Sequence, residues 1–285
     1  STPSNETITS DFTEDYDKSN YLSNYGFNHS IALNEKSYLK TTLSYSADGI
    51  DEDVYKIKTT KINNTQGEFL RDSIGDKVLN YKSRIQNWTY RGAVTYNNKI
   101  DAKNTLQVGT KYALHGFKNS IDQSQNNADE LTSMTDFNED ISTISNFASL
   151  KHRLNEKITI IGGVHNMNVL YNQKSTIEPR LAINWQVGEN SSFSAGYGKH
   201  STMESVHNYF AQVKQADGSL TEPNKDLDLL KADHYVLGYE KRLGKNMRLK
   251  VEAYYQSLYN LPVENVDTSY YSTINEGTDF RYVEL

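Results

Sequence analysis

The feature that most constrains this chain is a two-residue alternation of apolar and polar side chains, sustained over long runs. Leu181, Ile183, Trp185 and Val187 alternate with Ala182, Asn184 and Gln186, and Phe193, Ala195 and Tyr197 alternate with Ser194, Gly196 and Gly198. Successive side chains of an extended backbone point to opposite faces, so the pattern predicts strands that are apolar on one side only. Gly188-Glu189-Asn190 lies between these two runs and has the composition of a hairpin turn. Met247, Leu249, Val251, Ala253 and Tyr255 alternate in the same way with Arg248, Lys250, Glu252, Tyr254 and Gln256. The run before it sets Tyr235, Leu237, Tyr239 and Leu243 against Glu240 and Arg242, with Gly244-Lys245-Asn246 as the join. Leu106, Val108, Tyr112 and Leu114 oppose Gln107, Lys111 and His115. They follow Trp88, Tyr90, Val94 and Tyr96, which oppose Thr89, Arg91, Thr95 and Asn97, through a turn at 101–104. Tyr25, Phe27, Ile31 and Leu33 pair through 34–37 with Leu39, Leu43, Tyr45 and Ala47. A fifth pair, 144–154 and 158–171, turns at Asn155-Glu156-Lys157, with a less clean alternation around His152 and His165.

These runs predict about ten strands in about five hairpins, each longer than the usual strand of about five or six residues. The five joins are short, whereas the stretches near 48–84, 118–143 and 200–233 are expected as long loops; only the link at 172–175 breaks the segregation. In an up-and-down meander every second connection lies at the same end, so one end of the sheet is trimmed and the other elaborated. That division belongs to an all-β, antiparallel, up-and-down transmembrane β-barrel. A soluble sandwich has shorter strands and no reason to segregate its loops by length. Residues 1–20 are expected as a polar entry segment or loop and 21–285 as the barrel segment. Within the first long connection, 54–62 and 69–78 have the character of a protruding hairpin, and Met203, Val206, Phe210 and Val213 have the spacing of a short helix.

Composition removes other classes. Mean hydropathy is −0.73 and no apolar run reaches the length of a membrane helix, which has no bearing on a barrel. With no Cys, disulfide scaffolds, thiolate metal sites and cysteine nucleophiles are excluded. A net charge of −6 with dispersed basic residues argues against nucleic acid as a partner. No cofactor is indicated. The chain holds 21 Tyr against 9 Phe, and Tyr suits a boundary where one end of the ring is dry and the other wet. Tyr45, Tyr96, Tyr112, Tyr235 and Tyr255 are therefore candidates for an interfacial girdle, with ordinary cross-strand pairing as the alternative.

Arg91, Lys111, His115, Arg248, Lys250 and Glu252 occupy the polar face and are the candidates for facing a lumen and touching a substrate. His200, Glu204 and His207, with Tyr209 and Phe210, are candidates on the third long loop. Were that loop a continuous helix, the first three would share one face as metal ligands; a polar surface loop is the preferred reading. Asp48, Asp51, Glu52 and Asp53 lack the ordered spacing of a calcium loop and are expected as solvated surface. Gly196-Tyr197-Gly198 and Gly162-Gly163 do not open a helix after a strand, so they read as places where strands bend or backbones approach. The sequons at Asn28 and Asn87 lie within predicted strands and are chance matches. No catalytic constellation stands out, and the chain is not expected to be an enzyme.

The block Glu178-Pro179-Arg180-Leu181-Ala182-Ile183-Asn184-Trp185, followed by Phe193-Ser194-Ala195-Gly196-Tyr197-Gly198, resembles the barrel of TonB-dependent outer-membrane receptors. Asn208-Tyr209-Phe210-Ala211-Gln212, Pro223-Asn224-Lys225-Asp226-Leu227, Ala232-Asp233-His234-Tyr235 and Glu252-Ala253-Tyr254-Tyr255-Gln256 are similar to the Bacteroidetes type of that family. The resemblance covers most of 21–285. It implies a barrel of about 22 strands, with a plug and an energy-coupling box ahead of it that contacts a TonB-type protein, and a surface lipoprotein as a further partner. On this reading the chain is expected to be a middle segment, roughly half a barrel, lying in the outer-membrane bilayer and admitting a nutrient whose identity (siderophore, metal chelate, glycan or peptide) the residues do not specify. The alternatives are a soluble or surface-exposed β-rich binding protein or adhesin, and a passive porin-like channel.

Overall fold

The computed structural model describes residues 7–63, 68–124, 130–214, 217–275 and 283–285. The strands are β1 (Thr7–Asn34), β2 (Ser37–Asn63), β3 (Phe69–Lys99), β4 (Asn104–Ser124), β5 (Leu131–Arg153), β6 (Ile158–Val169), β7 (Ser175–Gly188) and β8 (Ser191–Thr202), then a short helix α1 (Val206–Tyr209), the two-residue strands β9 (Val213–Lys214) and β10 (Leu220–Thr221), and β11 (Leu230–Leu243) and β12 (Met247–Tyr259). Ten of them form one sheet in the order β1-β2-β3-β4-β5-β6-β7-β8-β11-β12, so nearly every strand pairs with its sequence neighbour, and β9 pairs only with β10. No helix is long and apolar enough to cross a membrane among the described residues.

The short joins are turns for identifiable reasons. Asn34 Oδ1 accepts from the Lys36 N–H at 2.9 Å, Asp101 Oδ1 from the N–H groups of Lys103 and Asn104 at 2.7 and 2.8 Å, and Asn155 Oδ1 from those of Lys157 and Ile158 at 2.9 and 2.8 Å. Each side chain replaces a backbone partner that the ladder has stopped supplying. At the last hairpin Gly244 takes φ +76°, a left-handed conformation that costs glycine nothing.

Register then fixes the faces. Leu181, Tyr197, Tyr235 and Tyr255 stand side by side across β7, β8, β11 and β12, followed toward the turns by Ile183, Ala195, Leu237 and Ala253, and then by Trp185, Phe193, Tyr239 and Val251. One face is therefore a continuous apolar and aromatic band, and Leu181, Trp185, Leu237 (65%), Val251 and Tyr255 are all exposed. The other face carries Arg180, Gly198, His234 and Gln256, then Ala182, Gly196, Val236 and Tyr254, then Asn184, Ser194, Gly238 and Glu252. A soluble sandwich would bury Leu249, Val251 and Val108 against a second sheet. All three are exposed instead.

The sheet differs from the sequence reading in where strands end. Thr7 to Asn20, expected as part of an entry segment, belongs to β1. Most of 48–84 and 118–143, expected as loops, is also strand, because β2 runs to Asn63, β3 starts at Phe69, β4 runs to Ser124 and β5 starts at Leu131. Polar, acidic sequence had suggested solvated loop. Backbone pairing with neighbouring strands holds these stretches extended, Val54 and Ile141 are buried within them, and the protruding hairpin expected over 54–62 and 69–78 is formed by β2 and β3. Contacts divide the chain into two units, one of Ser1–Asn24, Ser46–Trp88 and Gly116–Glu139, the other of Tyr25–Tyr45, Thr89–His115 and Asp140–Leu285. In the first, Trp88 covers Gly116 and Tyr21 covers Gly49, so an aromatic ring lies where a side chain would otherwise stand.

Candidate functional site

The polar-face candidates fall into two separate groups. His115 Nδ1 lies 3.5 Å from Thr89 Oγ1, and Arg91 and Lys111 share that face by alternation along β3 and β4. On β12, Lys250 binds Glu252 at 2.8 Å, and Arg248 donates to Glu240 of β11. The sheet order sets β5 to β11 between the two groups.

A third cluster, which sequence reasoning did not assemble, occupies the same face of β6, β7, β8 and β11. Glu178 is only 1% exposed and collects donors on both oxygens. Arg180 Nη2 donates to Oε2 at 2.8 Å, His165 Nδ1 lies 2.8 Å from the same oxygen, and Thr176 Oγ1 donates to Oε1 at 3.1 Å, as does the Ser201 hydroxyl. The His200 and His234 rings lie 4.5 Å apart beside it. The only sequence signal was Glu178 and Arg180 two residues apart, which share a face; their partners depend on register across three strands.

The loop candidates do not form a helical metal site. His200 lies within β8, two residues before its end, not at the start of a helix, and α1 spans only Val206–Tyr209. Among the described residues no group of three or more His, Cys, Asp or Glu is placed to hold a metal. Instead, Glu204 and Tyr209 hold the loop together. Thr273 Oγ1 donates to Glu204 Oε2 at 2.8 Å, and the Glu204 N–H donates to Tyr209 Oη at 3.2 Å. Tyr209 is fully buried, which pushes its hydroxyl up to about 12, and burial lowers His207 to about 4. Phe210 packs its ring 4.7 Å from that of Tyr171. Asparagines close the remaining gaps: Asn172 Nδ2 donates to the Leu227 carbonyl at 2.9 Å, Asn260 to that of Leu229 at 2.7 Å, and Asn224 to that of Val283 at 2.6 Å.

The acidic run at 48–53 splits between partners. Asp53 binds Arg84 Nη1 at 2.7 Å, Asp51 lies 3.7 Å from Arg84 Nε, Glu52 pairs with Lys18 at 3.5 Å, and Asp48 accepts from Asn87 at 3.1 Å. The Arg84 guanidinium beside Asp53 holds its carboxyl below the ordinary carboxylate value. The tyrosines named for a girdle include two close rows: Tyr45 lies 6.3 Å from Tyr25 and 4.7 Å from Tyr90, and Tyr235 lies 5.1 Å from Tyr197 and 6.2 Å from Tyr255. Tyr112 shares a hydrogen bond of 2.7 Å with Ser142. Tyr96 lines a shallow groove with Val94 and Val108.

A single antiparallel meander with an exposed apolar band, a polar reverse face and short turns at one end defines a segment of a transmembrane β-barrel. The chain belongs to the TonB-dependent receptors: the family model described as TonB dependent receptor-like, beta-barrel, matches residues 1–282. This places it in the outer membrane. No curated protein matches it in sequence. Among solved structures it is similar to the RagAB peptide transporter (TM-score 0.58, 10% identity, 85% of this chain and 30% of that one). It is also similar to the RagAB peptide importer in the "closed-closed" state (0.56, 11%, 85% and 30%) and to the copper transporter OprC (0.51, 11%, 84% and 45%). At these identities the likeness is one of fold. The chain spans less than half of each of those structures.

Proposed function

We propose that this chain forms part of the wall of a gated outer-membrane transporter that imports a nutrient when a TonB-type protein supplies energy from the inner membrane. The observation that carries the reading is the exposed apolar band on one face of a meander whose other face is polar, within a chain that the receptor family model matches almost throughout. On this reading Leu237, Leu249 and Val251 meet lipid, and Arg91, Lys111, His115, Arg248, Lys250 and Glu252 line the lumen. The tyrosine rows, Tyr45 and Tyr112 among them, sit at the level of the headgroups. The packed loop that holds Glu204, His207, Tyr209 and Phe210 lies on the extracellular side, and a surface lipoprotein is the partner expected there. Cargo stays at the level of a nutrient, since the similar folds include a peptide importer and a copper transporter.

The test is uptake by cells that express the whole receptor, with candidate nutrients supplied one at a time. Accumulation that stops when the TonB-type protein is deleted supports gated transport. Accumulation that continues unchanged without it would identify a passive pore and overturn the proposal.

A further inference from the structure

The polar face of β5 to β11 has a hollow in it. A cavity of about 580 Å³ opens there, within the range of small-molecule sites. Its floor is made by glycines, the same Gly163, Gly196 and Gly198 that stand out in the sequence. A methyl group at Gly198 would come within 2.9 Å of His200 Nε2 and 3.6 Å of Arg180 Cγ, so the missing side chain is what lets the His200 ring lie down beside Arg180. At Gly196 the nearest atom to such a methyl would be the Leu181 carbonyl at 3.9 Å, so a side chain there would project into the open cavity.

The chemistry of the lining is one-sided. Arg180, His165, His200 and His234 face the cavity, Phe147 and Ile161 supply apolar wall, and no Asp or Glu is among the lining residues. The nearest acid, Glu178, is shut away beneath Arg180 and His165 with all its donors already in place. His234 Nε2 is buried and has no hydrogen-bond partner among the described residues, an arrangement that a ligand atom would satisfy. One guanidinium whose charge is partly spent on Glu178, beside imidazoles, balances a single negative charge better than the double charge of a phosphate.

We propose that this cavity binds a carboxylate attached to an apolar body, with Arg180 and His234 on the carboxylate, Phe147 and Ile161 on the body, and Glu178 as a positioning residue that aims Arg180 and His165. Two sources have that chemistry: a diffusible ligand, or an Asp or Glu side chain of the receptor's own remaining chain. The site goes beyond the transport reading and does not depend on it, because binding by purified receptor and uptake by cells are read separately.

The probe is phenylacetate, with phenylacetamide as its uncharged counterpart, titrated calorimetrically against the whole detergent-solubilised receptor at neutral pH. An experimental structure of the same receptor shows what stands against Arg180. Saturable phenylacetate binding that is roughly tenfold to a hundredfold tighter than the amide, the span of a hydrogen bond to a charged group, is expected for a diffusible source. It should weaken by a similar factor in Arg180→Gln and vanish in Gly196→Leu, which fills the cavity without touching the charged groups. An Asp or Glu carboxylate other than Glu178 seated in the cavity on Arg180 and His234, with phenylacetate excluded, supports the site with the internal source. Equal binding of acid and amide, binding unchanged in Gly196→Leu, or neither a bound probe nor a seated carboxylate would overturn it.

Discussion

Glu178 shows how much one residue on a sheet face can organise. Alternation alone puts it with Arg180 and Thr176 on the polar side of β7, but its burial comes from the strands on either side, which bring His165 and Ser201 onto its oxygens. Removing it takes the shared acceptor from His165, Thr176 and Ser201, while the Arg180 side chain is 43% exposed and stays solvated, so the cost is that of unsatisfied buried donors, about 1–3 kcal/mol. Glu178→Ala is expected to lower the thermal unfolding midpoint of the detergent-solubilised receptor clearly, and an unmoved midpoint would show that the cluster is not structural. Gly116 makes a second case. The Trp88 ring lies over it, so Gly116→Val must push the indole aside, at a cost of about 1–3 kcal/mol. The Trp88 contribution, taken as the difference in emission between the receptor and its Trp88→Phe variant, is expected to shift when Gly116 is replaced.

At the scale of elements, the packed loop and the strand faces make different predictions. His207 is half-buried and held neutral, with a folded value of about 4 against an ordinary value of 6.5. The folded loop therefore binds fewer protons than the unfolded one between those values. Its stability is full above about pH 6.5 and is lost as pH falls toward about 4. Hydrogen-exchange protection in 203–214, taken relative to the intrinsic rate at each pH, is expected to fall as pH drops through that window, and His207→Gln is expected to flatten the dependence. On β11, Leu237 stands in the apolar band, and Leu237→Arg is expected to cost about 2–4 kcal/mol near the bilayer middle, against less than about 1 kcal/mol for Gln256→Arg on the polar face of β12. Unfolding measured in lipid vesicles separates the two; equal costs would argue that Leu237 does not face hydrocarbon. Four of the five short turns are readable from local chemistry, because Asn34, Asp101, Asn155 and Gly244 supply it in their own side chains or φ. The strand ends away from those turns were legible only in part: 54–62 and 69–78 read as a protruding hairpin and are strand, whereas nothing local marks 48–53 or 118–143 as paired.

For the whole molecule, the exposed band makes solubility a test of its surroundings. Purified receptor is expected to stay dispersed only in detergent or lipid and to aggregate on detergent removal, as measured by light scattering. A monodisperse sample in plain buffer would contradict a membrane-facing surface. Fold class, strand order and the division into an apolar and a polar face were determined by the sequence itself, because alternation and turn residues act between near neighbours, and a meander pairs each strand with the next. The clusters were decided only in three dimensions. His165 meets Glu178, and His200 meets His234, through register between strands, which the cumulative pairing of backbones sets and no short stretch of residues records. The glycines carried a visible signal without its meaning: Gly163 on β6 and Gly196 and Gly198 on β8 come to line one cavity only because register sets them on either side of Arg180 and Ala182 of β7.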